Sequence, residues 1–225
     1  MSVVDLLDRP VYGMAQVDRL LRLKSGTARR WIDGYWRNSQ FYEPIVRLSP
    51  TGGALVTWGE FVEARLLSEY RDAGVRINKM RAVVAELRDH FGDYPLAKSA
   101  PFISAEGQEV VLRIQTDVDL DEDLQLVRLG SNGQLMLSAP VREFMDAVKY
   151  HDGRAAMLHP AADIPQVVID PLRASGDPVV RAVPTEVIID LTEAGDSPEW
   201  IAEMYDLELA QVEAAIRFEQ RRRAA

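Results

Sequence analysis

The sequence predicts a mainly α-helical protein with small β hairpins, an α+β fold. Apolar residues recur every three or four positions near both ends of the chain, which is typical of amphipathic helices. In the middle of the chain, short β-type runs flank Gly-containing turns, which is typical of hairpins. A hydrophobic fraction of 47% in 225 residues supplies enough apolar surface for two or three small domains.

Composition excludes several classes of function. The chain has no cysteine, which rules out disulfide frameworks, thiolate zinc sites and cysteine nucleophiles. The first residues, MSVVDLLDRPVYG, lack the basic start and apolar core of a signal peptide. No stretch approaches the roughly 18 uninterrupted apolar residues of a membrane span. We therefore expect a cytoplasmic protein without a membrane partner.

Charge is distributed unevenly along the chain. Residues 1–47 contain 8 Lys/Arg and 5 Asp/Glu, whereas residues 101–225 contain 11 Lys/Arg and 23 Asp/Glu. The N-terminal segment therefore carries +3 and the C-terminal segment −12, in a chain of net charge −9. This asymmetry predicts two roles, a cationic end that meets phosphate and an acidic end that meets a different partner.

A helix-turn-helix is predicted near the N-terminus. The segment MAQVDRLLRLK at 14–24 has its apolar residues at helical spacing, and Ser25-Gly26 interrupts it. A second helix is predicted to follow, capped by Ser25 or Thr27, with one apolar and one cationic face. Its apolar residues are Ala28, Trp31, Ile32 and Tyr35, and the opposite face carries Arg29, Arg30 and Asp33.

The next two runs, YEPIVRL and ALVTW, are separated by SPTGG and predict a β hairpin. A hairpin at this place would be the wing of a winged helix-turn-helix. Two longer helices are predicted after it, ending at Gly74 and Gly92. Their apolar residues exceed what a small winged domain needs, which predicts a packing extension or a homodimer contact. We assign residues 1–92 to this DNA-binding domain.

Two further regions complete the predicted architecture. Residues 93–160 contain two hairpin-like segments, FISAEGQEVVLRI and LQLVRLGSNGQLMLS, and a short helix at VREFMDAV. Residues 161–225 predict a helix-turn-helix-like domain of three helices, with Ser197 as an N-cap. The exposed positions of this domain are acidic, which argues against DNA as its partner because like charges repel.

The C-terminal segment VVIDPLRASGDPVVRAVPTEVIIDLTEAGDSPEWIAEMYDLELAQVEAAIRFE, residues 167–219, resembles the small domain catalogued as domain of unknown function 433. It departs from the family pattern at Arg181-Ala182-Val183, where the family often has a Gly- and Thr-rich turn. The whole chain resembles proteins in which this domain follows a MerR-like winged helix, and these are similar to antitoxins of VapBC-type toxin–antitoxin pairs. The resemblance implies a cognate PIN-fold toxin, a metal-dependent ribonuclease. The antitoxin would bind and silence that toxin and repress its own operator.

The predicted DNA contacts lie on the second helix and the wing. The first turn of a recognition helix meets base edges and phosphates, and arginine can read guanine bidentately. Contacts to the DNA backbone fix orientation without reading sequence. The candidate DNA-binding residues are Ser25, Thr27, Arg29, Arg30, Arg37, Gln40 and Arg47.

A basic tail, RFEQRRRAA, ends the acidic half of the chain. Basic residues near a helix C-terminus complement the helix dipole, which accounts for part of this cluster. PIN ribonucleases hold magnesium with clustered carboxylates, so the resemblance also implies that arginines here pair with those carboxylates and block metal entry. The candidate toxin-binding residues are Arg217, Arg221, Arg222 and Arg223.

Enzymatic machinery is not visible in the sequence. None of the three histidines has a partner at helical spacing, and no Gly-rich phosphate loop or Gly-x-Ser-x-Gly motif occurs. The acidic run DVDLDEDL at 117–124 fails the calcium-loop pattern at Glu122 and Arg128. We therefore predict a non-enzymatic antitoxin without metal or other cofactor. Two alternatives stay open: a MerR-like regulator whose C-terminal region senses a small molecule, and an enzyme with a dispersed site.

Overall fold

The computed structural model describes residues 5–74 and 77–223, and it confirms the mainly helical α+β fold. The chain divides into two compact units, one of residues 1–146 with 150–155 and one of residues 147–149 with 156–225. Most of the stretch 93–160 therefore belongs to the first unit. Within the described ranges, no helix is both long enough and apolar enough to cross a membrane.

The first unit opens with two short helices and two small antiparallel pairs of strands. Its elements are β1 (Pro10–Gly13), α1 (Met14–Leu20), α2 (Thr27–Ile32), β2 (Tyr35–Arg37), β3 (Gln40–Tyr42) and β4 (Leu55–Thr57). β1 pairs with β4, and β2 pairs with β3. Two helices joined by a turn are present where the sequence predicts them.

The predicted wing is wrong in its pairing. The run ALVTW contributes β4, which pairs with β1 rather than with the residues before SPTGG. The hairpin that follows α2 is β2–β3, closed by Asn38 and Ser39 at φ of 50° and 62°. Positive φ at both central residues is what a two-residue type I′ turn requires. The SPTGG segment is instead a loop, because the Asp33 carboxylate accepts hydrogen bonds from the Thr51 and Gly52 N–H groups.

Two longer helices, α3 (Trp58–Asp72) and α4 (Met80–Phe91), carry much of the buried surface of the first unit. Thr57 caps α3: its hydroxyl accepts from the Glu60 N–H at 3.2 Å, and the Glu60 carboxylate accepts from the Thr57 N–H at 2.9 Å. Gly92 follows α4 directly, as predicted. The segment RINKMRAVVAELRDHFG, which predicts this helix, begins at residue 76, and that residue lies outside the described residues.

The segment FISAEGQEVVLRI, predicted as a hairpin, is helical instead. It forms the end of α5 (Ala100–Ile103) and most of α6 (Ala105–Asp117). The Ser104 hydroxyl accepts from the Gly107 N–H and caps α6, and this cap outweighs the β preference of the two valines. Glycine is required at Gly107 because a Cβ there would lie 2.0 Å from the Ala100 carbonyl oxygen.

The other predicted hairpin, LQLVRLGSNGQLMLS, is confirmed. β5 (Val127–Leu129) pairs with β6 (Leu135–Leu137), and Gly133 lies between them at φ 77°. The elements that follow are α7 (Ala139–Ala147), β7 (Val148–His151) and β8 (Arg154–Leu158).

The second unit combines a three-stranded sheet with the three predicted helices. Its elements are β9 (Val167–Val168), β10 (Val179–Val180), β11 (Val183–Pro184), α8 (Thr185–Ala194), α9 (Pro198–Tyr205) and α10 (Leu209–Arg223). Ser197 caps α9 as predicted, accepting from the Trp200 N–H. The apolar faces of the helices and the central strand close over one core that includes Val180, Ile188, Ile201 and Phe218.

Candidate nucleic-acid interface

The turn between α1 and α2 is held by Asp18, a buried residue of α1. Its carboxylate oxygens accept hydrogen bonds from the Gly26 and Ala28 N–H groups, both at 2.7 Å. Gly26, at φ 80°, occupies the N-cap position of α2. The predicted caps Ser25 and Thr27 are therefore wrong. An acidic group at a helix N-terminus also complements the helix dipole, so Asp18 satisfies the first turn of α2 from outside that helix.

α2 buries its apolar residues and exposes its arginines as predicted, but Asp33, predicted on the cationic face, is buried. Ala28, Trp31 and Ile32 are buried, whereas Arg29 and Arg30 are exposed. The helix is shorter than predicted, because Gly34 at φ 79° leaves the helical conformation directly after Asp33. Tyr35 and Arg37 consequently lie on β2 rather than on the helix.

The β2–β3 hairpin is built on aromatic pairs. Tyr35 stacks on Tyr42 with ring centroids 4.9 Å apart, and Trp36 packs at a tilt against Phe41 at 5.3 Å. The Arg30 guanidinium lies over the Tyr35 ring, 6.0 Å from its centroid, and so joins α2 to the hairpin. Trp36 is 72% exposed, and sequence reasoning missed it. The signal that could have found this hairpin is YWR-NS-QFY, two β-type runs around a two-residue turn.

α2 and the hairpin line one cavity of about 530 Å³. Thr27 and Arg30 contribute from α2 and Gln40 from β3, so the structure brings three predicted DNA-binding residues together. Arg37 is the cross-strand partner of Gln40 beside the hairpin turn. Ser25 is exposed in the turn before α2, and Arg29 is exposed on α2 with its guanidinium 3.8 Å from the Asp33 carboxylate.

Arg47 lies apart from this cavity and is engaged within the protein. Its guanidinium donates to the Glu60 carboxylate at 2.6 Å and to the Asp33 carboxylate at 2.8 Å, and also to the Leu55 carbonyl. Burial alone would raise the pKa of Asp33, but hydrogen bonds from the Thr51 amide and from Arg47 outweigh it and lower that pKa. This network connects the 43–54 loop to α2 and α3. The Arg47 side chain is only 10% exposed.

The predicted toxin-binding arginines lie at the end of α10 in the second unit, each near a carboxylate. Arg221 pairs with Asp163 at 2.7 Å, and Arg223 pairs with Asp190 and Glu193. Arg222 points inward, with Nε 3.2 Å from Oε2 of the buried Glu219 at an angle that does not make a hydrogen bond. Arg217 is exposed and close enough to Asp163 to lower its pKa, although the hydrogen bond from Arg221 has the larger effect.

Comparisons with known proteins place the chain in a family. The family model described as "Protein of unknown function (DUF433)" matches residues 167–218, which confirms the C-terminal resemblance. The uncharacterized protein Rv2308 of Mycobacterium tuberculosis is 37% identical over 234 residues, a match that covers 100% of this chain and 96% of that protein. This chain belongs to the Rv2308 family. The crystal structure of Rv2018 from Mycobacterium tuberculosis is also similar, with a TM-score of 0.75 and 26% identity over 94% of this chain and 100% of that one.

Proposed function

We propose that this protein is a cytoplasmic DNA-binding antitoxin. Its first unit binds operator DNA through α2 and the β2–β3 hairpin, and its second unit binds and neutralises a PIN-type ribonuclease. The observation that carries the DNA-binding half is the concave surface on which Thr27, Arg30 and Gln40 converge. The antitoxin half rests on the resemblance of the chain to VapBC-type antitoxins.

Charge supports DNA as the ligand of this surface. Arg30 and Arg37 are exposed, and within the described part of the chain neither of them makes an ion pair. Lys24 and Arg29 add positive charge on either side of the turn, in the segment that carries +3 overall. Cations without carboxylate partners are available to phosphates, which supply most of the affinity of a protein for DNA.

The residues of the surface divide into two proposed roles. Thr27 and Arg30, in the first turns of α2, contact base edges, where arginine reads guanine. Ser25, Arg29, Arg37 and Gln40 contact the DNA backbone and set the orientation of the helix. Arg47 is left out of the proposed contacts because its donors are used by Asp33, Glu60 and Leu55. A homodimer would present two such surfaces to the half-sites of a palindromic operator.

The toxin-binding proposal is narrowed by the position of the tail arginines. Arg222 is directed at Glu219 inside the second unit, which leaves Arg217, Arg221 and Arg223 to face a partner. The pairs made by Arg221 and Arg223 are exposed, and exposed pairs hold their partners weakly. Arg221 and Arg223 would therefore lose little free energy on leaving these carboxylates for those of the toxin. Pairing with the toxin's carboxylates would displace its magnesium.

DNA binding is tested by reversing charge on α2. Wild-type protein is used to select duplexes from a random pool, and binding is then measured by electrophoretic shift in moderate salt. Arg29→Glu/Arg30→Glu is expected to abolish the shift, because a backbone-directed and a base-directed cation both become anions, which the phosphates repel. Arg142→Glu/Lys149→Glu, an equal change of charge at exposed residues that do not line this cavity, is the matched control and should retain the shift. Loss of binding in both variants, or in neither, would reject the assignment to α2.

The antitoxin half is tested by co-expression with the product of the adjacent reading frame, scoring growth rescue and co-purification. Both are expected with the full chain, and deletion of residues 220–225 should remove the rescue. Of that tail, residues 224 and 225 lie outside the described residues. If the full chain neither rescues growth nor co-purifies, the antitoxin proposal is wrong. DNA binding that persists in that case would favour the MerR-like regulator instead.

A further inference from the structure

Trp36 is the most exposed of the large apolar side chains in the described structure, at 72%. Of the other three tryptophans, Trp31 and Trp58 are buried at 8% and 0% exposed, and Trp200 is 45% exposed. A tryptophan left in water forgoes the largest hydrophobic gain that any side chain offers. Its exposure, on a hairpin that lines the same cavity as α2, leaves the Trp36 ring available to a ligand of that surface.

The position of the Trp36 ring is set before any ligand arrives. Phe41, its cross-strand partner, packs against it, and on the other face of the strands Tyr35 stacks on Tyr42. Arg30 lies over Tyr35 and connects the hairpin to α2. Isolated two-stranded hairpins are marginally stable, so these aromatic contacts keep the Trp36 ring in place.

The surroundings of Trp36 select the chemistry of the ligand. Residues 34–42, GYWRNSQFY, contain no carboxylate, and Arg37 follows Trp36 directly. The hairpin turn carries only the small side chains of Asn38 and Ser39, so the tip is narrow enough to enter a groove. A ligand that presents a flat apolar face beside an anion fits this arrangement, and a nucleotide of DNA has both.

We propose that Trp36 stacks on a base of duplex DNA that the hairpin partly unstacks, while Arg37 pairs with the adjacent phosphate. This inference rests on the proposed DNA-binding function and adds to it a second mode of contact. Stacking on an aromatic side chain is tolerant of sequence, and wedge-like side chains at a base step bend the duplex. The hairpin would thus read how easily a step opens, whereas α2 reads base edges.

The test uses a pool-selected duplex of about 30 base pairs, long enough for two half-sites, with 2-aminopurine placed at successive positions. Wild-type protein is expected to raise the 2-aminopurine fluorescence at one step in each half-site, where the base beside the one stacked on Trp36 loses its stacking neighbour. Trp36→Ala should remove that rise and weaken binding about tenfold, the loss of roughly one stacked base. Trp36→Phe keeps a ring and should retain most of the affinity. The dependence of affinity on salt should not change in either variant, since no phosphate contact is lost.

Trp200→Ala, at the 45% exposed tryptophan of the second unit, is the control and should bind as the wild type does. If Trp36→Ala binds normally and keeps the fluorescence rise, while Arg29→Glu/Arg30→Glu loses binding, DNA binding stands and the stacking role is rejected. If the wild-type protein selects no duplex, the proposed function itself fails. If Trp36→Ala changes the sedimentation of the DNA-free protein from dimer to monomer, Trp36 is a subunit contact and the stacking role is again rejected.

Discussion

Both ends of this chain carry clustered arginines, and the two ends use them differently. In the first unit, Arg30 and Arg37 are exposed and, within the described residues, unpaired with any carboxylate. In the second unit, Arg221, Arg222 and Arg223 each lie within 4 Å of a carboxylate. The same residue type is thus available to an external anion at one end and largely neutralised at the other.

A cationic cluster in a sequence does not show whether its arginines pair within the protein or with an external anion. The carboxylates that meet Arg221 and Arg223 are Asp163, Asp190 and Glu193, at least 30 residues away along the chain. Only folding brings them to the end of α10. On α2, the nearest carboxylate in sequence is Asp33, and it is taken up by Arg47 and by the 43–54 loop.

The largest effect is expected from Arg222→Ala. This variant tests whether Arg222 pairs with Glu219 inside the second unit or faces a partner. Glu219 is completely buried and would keep only the hydrogen bond from the Thr185 hydroxyl. Removing one partner of a buried ion pair leaves an uncompensated charge, so the free energy of unfolding should fall by about 3 kcal/mol. Urea denaturation measures the loss, and hydrogen exchange in peptides from α8 and α10 assigns it to the second unit.

Arg221→Ala is the matched control, since its pair with Asp163 is exposed and contributes little to stability. A stable Arg222→Ala variant that no longer rescues growth would instead make Arg222 a toxin contact. In that case the proposed division of the tail into inward and outward arginines would be wrong.

A second prediction concerns Glu63, the buried glutamate of the first unit, as a counterpart of Glu219. Burial raises the pKa of Glu63 to about 7; the Arg88 guanidinium at 3.8 Å and the Leu96 N–H offset only part of that effect. The folded state therefore holds a proton that the unfolded state, with a pKa of 4.5, releases. Stability is expected to fall by about 3 kcal/mol as pH rises from 4.5 to 7 and to be flat above that.

Glu63→Gln isolates this contribution, because other titrating groups cancel when the two proteins are compared at each pH. The variant should gain stability relative to the wild type between pH 5 and pH 8. A difference that stays constant across this range would show that Glu63 is ionised at both ends of it, and that Arg88 compensates its charge as Arg222 compensates Glu219.

The smallest effect is expected from Asp18→Ala. In the first unit this acid, not an arginine, holds the turn between α1 and α2. Two N–H groups at the start of α2 would lose a charged acceptor, at a cost of about 2 kcal/mol. Asp18→Asn keeps one carbonyl acceptor and should lose about half as much. Thermal denaturation measures both values, and equal stability of all three proteins would contradict the role of Asp18.

Local sequence signals were reliable where one short segment supplies its own hydrogen-bond partners. The capped helix after Ser197 and the hairpin around Gly133 need no distant residue, and the structure has them. Signals failed where two neighbouring motifs competed. YWR-NS-QFY formed the hairpin expected of the following runs, and the Ser104 cap made a helix of a segment rich in β-branched residues.

Four features could be predicted from the sequence alone: the α+β class, the C-terminal family, the three helices of the second unit and the exposed arginines of α2. The family follows from the resemblance of residues 167–219, and the other features follow from periodicity, caps and charge, which are properties of contiguous residues. The tertiary structure alone decided which arginines remain available, that Arg47 holds a loop, and that α2 shares a surface with an aromatic hairpin. The first two depend on groups that are distant in sequence, and no local pattern records which of them will meet once the chain folds. The third joins neighbouring segments, residues 27–32 and 35–42, whose relative placement their own patterns do not fix.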